Sequence, residues 1–168
     1  TKSRFLTPYP RNTLWERGYA LDTLETALPW KQVNETRGDI QAAIRQALAQ
    51  YSGDEYIERV LVFSHLSHVY RDGASIYTTY LFRRAADPDE TLARWQAMKH
   101  AASQAIIARG GTISHQHGVG VDHAAYLEAE KGALGMHLLQ QTASALDPDG
   151  LLNPGKLIGD GYVDHRLA

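Results

Sequence analysis

The sequence predicts an α+β fold, an antiparallel sheet covered by helices, and three observations predict it. Tyr56 to Val69 and Ala74 to Phe82 are rich in β-branched and aromatic residues, as strands are, and Arg71-Asp72-Gly73 joins them like a hairpin turn. Two longer segments carry apolar residues at helical spacing. No Gly-rich strand-to-helix phosphate loop of the Rossmann or P-loop type occurs, so the chain shows no nucleotide cradle of its own.

Taken in order, residues 1–9 suit an extended strand that Pro8 and Pro10 break. Asn12 caps a short helix beginning at Thr13. Gly18 to Leu28 keeps no clean helical stripe and stops at Pro29, which suits the first turn of a helix. That helix is predicted from about Pro29 to Tyr51, with Val33, Ile40, Ile44, Ala47, Leu48 and Tyr51 toward the core and Gly38 as an interruption. Ser52-Gly53-Asp54 is a turn, and the two strands follow. Side chains alternate along a strand, so Ser75, Tyr77 and Thr79 share one face while Ile76, Tyr80 and Phe82 share the other. Tyr77 therefore belongs to the more polar face.

Asp87-Pro88-Asp89-Glu90 predicts a helix start, with Asp87 as cap, Pro88 in the first position and Glu90 closing a capping box. Leu92, Trp95, Met98, Ala102 and Ile106 form its expected buried stripe, and Gly110 ends it. Asp122 caps a further helix with Leu127, Leu134 and Leu138 on one face, weakened by Gly132 and Gly135. Glu128 and Lys131 read as an exposed helical pair, and His123 as a helix-start residue. Asp147-Pro148-Asp149-Gly150 stops this helix, and residues 151–158 form an ordered tail.

At 168 residues the chain is long enough for one core-bearing domain. A formal net charge of −2 gives no general pull toward nucleic acid. The absence of cysteine excludes disulfides, thiolate nucleophiles and cysteine-based metal sites. No apolar run approaches the ~20 residues that span a bilayer. A start at Thr1 without an initiator methionine predicts a domain of a longer protein.

The chemistry concentrates in Gly110-Gly111-Thr112-Ile113-Ser114-His115-Gln116-His117-Gly118-Val119-Gly120. If residues 114–118 are extended, His115 and His117 point to one side and Gln116 to the other. Two imidazoles would then stand on a glycine-framed edge, open to something flat or charged. The alternative is a loop with two surface histidines.

This stretch resembles the histidine-rich loop of the alkyldihydroxyacetonephosphate synthases, which belong to the vanillyl-alcohol-oxidase-type FAD enzymes. That loop typically reads Ser-His-His-His-Gly-Val-Gly, and the middle histidine is Gln116 here. The D-lactate and glycolate dehydrogenase branch has Gly-Glu-His-Gly instead. The resemblance covers nearly the whole chain: Tyr9-Pro10-Arg11-Asn12 is similar to the family's Tyr-x-Arg-Asp, Leu24 to Trp30 to its Phe-Glu-Thr-Ser-Ala-Pro-Trp, and Gly73-Ala74-Ser75-Ile76-Tyr77 to its Gly-Ala-Cys-Ile-Tyr. An Asp-Pro…Asn-Pro-Gly-Lys tail, residues 147–156, is common to the wider superfamily.

The resemblance implies that residues 1–168 are the C-terminal substrate (cap) domain of an FAD-linked oxidase, lacking the upstream FAD-binding domain and inactive alone. It implies FAD as cofactor and acyl-for-alkyl exchange on dihydroxyacetone phosphate through a flavin adduct. Oxidation of a small 2-hydroxy acid or glycerol phosphate is the second reading, and a non-catalytic binding or oligomerisation module the third. Tyr77 takes the role of acid/base, although a free phenol ionises only near pH ~10 and needs cations or donors beside it, for which His115, His117 and Arg11 are candidates. His115 and His117 lie by flavin and substrate. Arg11 and Gln116 bind substrate, and Asn153 touches the cofactor, although Asn-Pro-Gly is also a plain turn. The expected partners are the upstream domain, a phosphorylated or hydroxy-acid substrate, a lipid chain and a second copy of the protein, with no nucleic acid. The expected setting is the cytoplasm, extending to the membrane periphery. No metal is expected: His65, His68, His115 and His117 are candidate zinc ligands, but His65 and His68 have opposite parity and cannot face one ion without a bulge.

Overall fold

Gly73–Arg83 is buried along one face and half-buried along most of the other, and this strand forms the middle of the sheet. The structure, a computed structural model, describes residues 8–158. The elements are α1 (Pro8–Glu16), β1 (Tyr19–Pro29), α2 (Trp30–Ala49), β2 (Leu61–Val69), β3 (Gly73–Arg83), α3 (Pro88–Ala108), α4 (Gly120–Ala124) and α5 (Leu127–Leu146). The three strands are antiparallel in the order β1-β3-β2. The α+β reading holds.

Alternation along β3 sorts the two faces. Ala74, Ile76, Thr78, Tyr80 and Phe82 are all buried on one side. There Tyr80 and Phe82 meet Ile40, Ile44, Ala47 and Leu48 of α2 and Met98, Ala102 and Ile106 of α3, while Ala74 and Ile76 pack with Leu28 and Val33. Burying one such aliphatic or aromatic side chain stabilises the fold by roughly 2 kcal/mol. The other side carries Ser75, Tyr77, Thr79 and Leu81. Directly paired residues share a face, so Glu25, Tyr77 and His65 stand in one row, and Thr23, Thr79 and Phe63 in the next. Among the described residues, no helix packs over these rows in the way that α2 and α3 cover the opposite face.

Several expectations are corrected. Residues 1–7 of the expected opening strand lie outside the described residues. Pro8, Tyr9 and Pro10 open α1 instead, since proline is tolerated in a first helical turn, and Asn12 lies inside that helix. Gly18 to Leu28, left without an element, is the strand β1, whose burial does not alternate because Leu24, Glu25 and Thr26 are all covered. Pro29 precedes α2 as its N-cap residue, and Gly38 does not interrupt it. Strand β2 starts at Leu61, not near Tyr56. In α3, Asp87 does cap Asp89 N, at 2.9 Å, and Pro88 is the first residue. Glu90 instead turns to Arg94, at 2.7 Å, and Leu92 is exposed. Asp122 lies within α4 and caps nothing. Leu134 and Leu138 face water, Met136 is buried, and a left-handed Gly132 kinks α5. Lys131 pairs with Glu130, not Glu128.

Candidate functional site

The centre of the open face is Glu25, a carboxylate with only 3% of its surface exposed. It stands on β1 between Leu24 and Thr26, opposite Tyr77. Two neighbouring segments roof it, and each owes its path to a local feature of the sequence.

The first is the end of β2. Pairing runs one to one from Leu61↔Leu81 to Leu66↔Ile76, then jumps to Val69↔Ala74. Ser67 and His68 therefore both stand opposite Ser75, as in a β-bulge. Ser75 Oγ lies 2.6 Å from Ser67 Oγ and accepts from His68 N at 2.9 Å. The bulge cancels the parity that separates His65 from His68 on a straight strand. Ser67 donates to Glu25 Oε1, and His68 Nδ1 lies 3.3 Å from the same oxygen.

The second is the histidine loop, which runs along the outer edge of β1. Thr112 N donates to Ala27 O at 3.3 Å and His115 N to Glu25 O at 3.0 Å. Gly111 permits the approach, since a Cβ there would lie 2.6 Å from Thr26 Oγ1. Glu130 of α5 clasps the loop from behind by accepting from Ile113 N at 2.7 Å. The loop is not extended: Gln116 and Gly118 have φ of 60° and 73°, and Ser114 Oγ closes it on Gly118 O at 2.6 Å. The tight turn still brings both imidazoles to Glu25. His115 Nδ1 is 3.1 Å from Oε1, and His117 Nε2 is 3.4 Å from Oε2. Gln116 projects into solvent and takes no part in this cluster.

Electrostatics favour a charged carboxylate. Burial pushes the Glu25 carboxyl up, but hydrogen bonds from Ser67, Ser75, His115 and His68 outweigh it and hold the group below the usual glutamate range. Two tyrosines flank the cluster. Tyr77 stacks on His65 at 5.2 Å between ring centres and meets His117 edge-on at 5.4 Å. Tyr70 Oη lies 2.9 Å from His115 Nε2.

Of the predicted residues, the structure gathers Tyr77, His115 and His117. Arg11 stands on α1, and with Lys99, Lys156 and His117 it lines a cleft of about 450 Å³ next to the loop. Among the described residues, no contact joins Asn153 to Glu25 or its histidines. Sequence reasoning missed Glu25 and Tyr70, and weighed His68 only as a zinc ligand that strand parity set apart from His65. The signal for Glu25 was a carboxylate in an otherwise strand-like run. For His68 it was the Ser-His-Val-Tyr sequence before a hairpin turn, where bulges are common.

A flavin suits this donor set. A flat sheet face with exposed ring surfaces from Tyr77, His65 and Phe63, edged by imidazole nitrogens, matches a planar heteroaromatic with polar atoms along one side. The ligand atoms of Glu25, His68 and His115 also lie within 4.8 Å of one another. They already join through the two Nδ1···Oε1 contacts, and such a trio has the donor types a divalent transition metal takes.

Comparison with known proteins identifies the family. The family described as FAD linked oxidases, C-terminal domain, matches residues 2–157. The chain is 31% identical over 155 residues to an alkyldihydroxyacetonephosphate synthase of Caenorhabditis elegans, covering 92% of this chain and 25% of that protein. It is 24% identical to the synthase of Trypanosoma brucei brucei, over 90% of this chain and 24% of the relative. A D-2-hydroxyglutarate dehydrogenase of Stutzerimonas stutzeri is 27% identical, over 86% and 30%. A solved alkyldihydroxyacetonephosphate synthase superimposes with a TM-score of 0.58 at 19% identity, covering 90% of this chain and 23% of its own. The chain thus spans about a quarter of the length of these synthases.

Proposed function

This chain belongs to the C-terminal domains of FAD-linked oxidases, and from that membership we propose that it forms the substrate side of an enzyme exchanging acyl for alkyl on dihydroxyacetone phosphate. The family is one of FAD-dependent enzymes of the oxidoreductase superfamily, and FAD is its cofactor. When bound, the flavin supplies the electron-accepting ring at which the substrate carbon reacts.

The observation that carries the reading is Tyr77, half-buried on the open face with His117 at its ring edge and Glu25 fixing His117 from behind. Tyr77 takes a proton from the substrate carbon and returns it. His117 presents a ring nitrogen toward developing oxygen charge, and His115 lines the site beside it. Arg11 holds the phosphate from the neighbouring cleft, where a guanidinium pairs with two oxygens at once. Gln116 and Asn153 contribute from the rim, to substrate and cofactor respectively.

The same reading brings with it an FAD-binding domain earlier in the polypeptide, a lipid chain on one substrate and a homodimer. It also brings a cytoplasmic or membrane-peripheral setting. Among the described residues no helix is long and apolar enough to cross a membrane.

A second reading, oxidation of a small 2-hydroxy acid, draws on the Glu25–His68–His115 trio and on the dehydrogenase relative. The test is an anaerobic visible spectrum of the FAD-loaded enzyme during addition of D-2-hydroxy acids and glycerol phosphate. An unchanged spectrum, with acyl-to-alkyl exchange in a second assay, supports the synthase. Bleaching reversed by an electron acceptor replaces it with the dehydrogenase.

A further inference from the structure

Tyr70 is a ring of this cluster that the proposed synthase reaction leaves without a task. It follows the β2 bulge at the hairpin tip, and its backbone is held on three sides. Tyr70 N donates to Gly73 O at 2.8 Å. Trp30 Nε1 lies 3.3 Å from Tyr70 O and 3.2 Å from Arg71 O, and Trp30 N donates to Asp72 O at 3.2 Å. Gly73 locks the tip against β1, since a Cβ there would lie 2.1 Å from Leu28 O. From this fixed base the Tyr70 side chain reaches His115, ring edge to ring face, with centres 5.9 Å apart.

The contacts then form a line. Tyr70 Oη is 2.9 Å from His115 Nε2, and His115 Nδ1 is 3.1 Å from Glu25 Oε1. A carboxylate is an acceptor only, so the proton between His115 and Glu25 belongs to Nδ1. A neutral imidazole with its hydrogen on Nδ1 offers Nε2 as an acceptor, and the phenol is then the donor. The far end of the line is buried while Tyr70 is 47% exposed.

We propose that Glu25 and Tyr70 are positioning residues of the reaction, holding His115 as its Nδ1–H tautomer with Nε2 bound to the Tyr70 hydroxyl. The site then contains two phenol–imidazole pairs with separate duties. Tyr77 and His117 face the substrate carbon. Tyr70 and His115, with Glu25 behind them, form a fixed hydrogen-bonded line at the edge of the site that keeps the imidazole in one place and one orientation. The assignment of a duty rests on the FAD-enzyme reading, whereas the tautomer does not.

The experiment uses the FAD-loaded enzyme with ¹⁵N-labelled histidine, the His115 signals being identified by their loss in His115→Asn. The expected result is an Nδ1–H tautomer at neutral pH that shifts toward Nε2–H in Glu25→Gln. An Nε2–H form in the wild type, or a form unchanged in Glu25→Gln, overturns the proposal whatever the enzyme's reaction. In turnover, Tyr70→Phe is expected to lower kcat about tenfold with little change in KM, because the imidazole it orients is misplaced. In a His115→Asn background it adds nothing, because both changes break one line of hydrogen bonds. A full, independent loss in the double variant marks Tyr70 as a packing residue and sinks the idea. If Tyr77→Phe and His117→Ala leave turnover intact, the functional reading has failed instead, and the tautomer measurement still decides the hydrogen-bond assignment.

Discussion

Asp22 and Glu25 are carboxylates three positions apart on β1, on opposite faces of the sheet, and their companions differ in kind. Asp22 lies on the helix-covered side, where Oδ2 accepts from Tyr80 Oη at 3.0 Å, Trp95 Nε1 at 2.7 Å and Lys99 Nζ at 3.1 Å. Burial pushes its carboxyl up, and Lys99 with the Trp95 and backbone hydrogen bonds brings it below the ordinary value. Glu25, on the open side, is held by serine hydroxyls and imidazoles. One carboxylate is built into the architecture and the other into the histidine-lined open face. Strand alternation alone delivers them to the two settings.

The sharpest way to break this comparison uses the tyrosines of β3. Tyr77→Phe is expected to lower turnover by about 10²- to 10⁴-fold, the usual range for an acid–base group, with the melting temperature unchanged. Tyr80, whose phenol burial and Asp22 push well above its ordinary value, is expected to behave in the opposite way. Tyr80→Phe should keep turnover and lose about 1 kcal/mol of stability in denaturant unfolding. Equal losses of turnover in both variants would erase the distinction between the faces.

Next in size is Asp22→Ala, which leaves buried Lys99 with only the Thr23 carbonyl, at 3.0 Å. A loss on the order of 3 kcal/mol is expected, since an uncompensated buried charge costs about that much. Glu25→Gln keeps shape and loses charge, so its unfolding loss should be smaller, about 1–2 kcal/mol.

The response to acid is smaller still. Both carboxyls sit below their ordinary values of 3.8 and 4.5. As pH falls the unfolded chain takes up these protons first. The stability the two groups confer is therefore complete above about pH 5 and is lost as pH drops through their folded values. Urea midpoints measured from pH 6 to pH 3 should fall less steeply in Asp22→Asn and in Glu25→Gln than in the wild type. The least effect is expected at Thr36, whose buried Oγ1 has no hydrogen-bond partner among the described residues. Thr36→Val should be neutral or stabilising by up to about 1 kcal/mol in the same unfolding experiment.

What the sequence revealed follows the same division. Tyr77 was legible because β3 obeys strict alternation, so its polar face could be read from Ser75, Tyr77 and Thr79 alone. The α2 core was legible because Ile40, Ile44 and Leu48 repeat at helical spacing. Glu25 was not, because β1 is covered on both faces at Leu24, Glu25 and Thr26 and a buried carboxylate breaks every local pattern that marks a strand. His68 and Tyr70 depend on one extra residue at the end of β2, and no period forecasts a bulge. The loop histidines reached their common partner by a left-handed turn at Gln116, where the sequence pattern suggested extension. Alternation captures side-chain direction within an element. It says nothing of which foreign segment will arrive from above.

Among the described residues, no strand pairs with the outer margin of β2. Its neighbour β3 occupies one side, while the histidine loop shields the distant margin at β1. Leu61, Phe63, Leu66 and Val69 are exposed along it. A strand of this kind is a template on which a second chain can lay itself down, and proteins ordinarily blunt such borders with lysine, proline or a covering segment. The β2 bulge interrupts the template near the hairpin tip, next to the histidines. The kink that gathers the imidazoles therefore also limits the straight length open to clumping, so straightening β2 would cost the molecule solubility as well as chemistry.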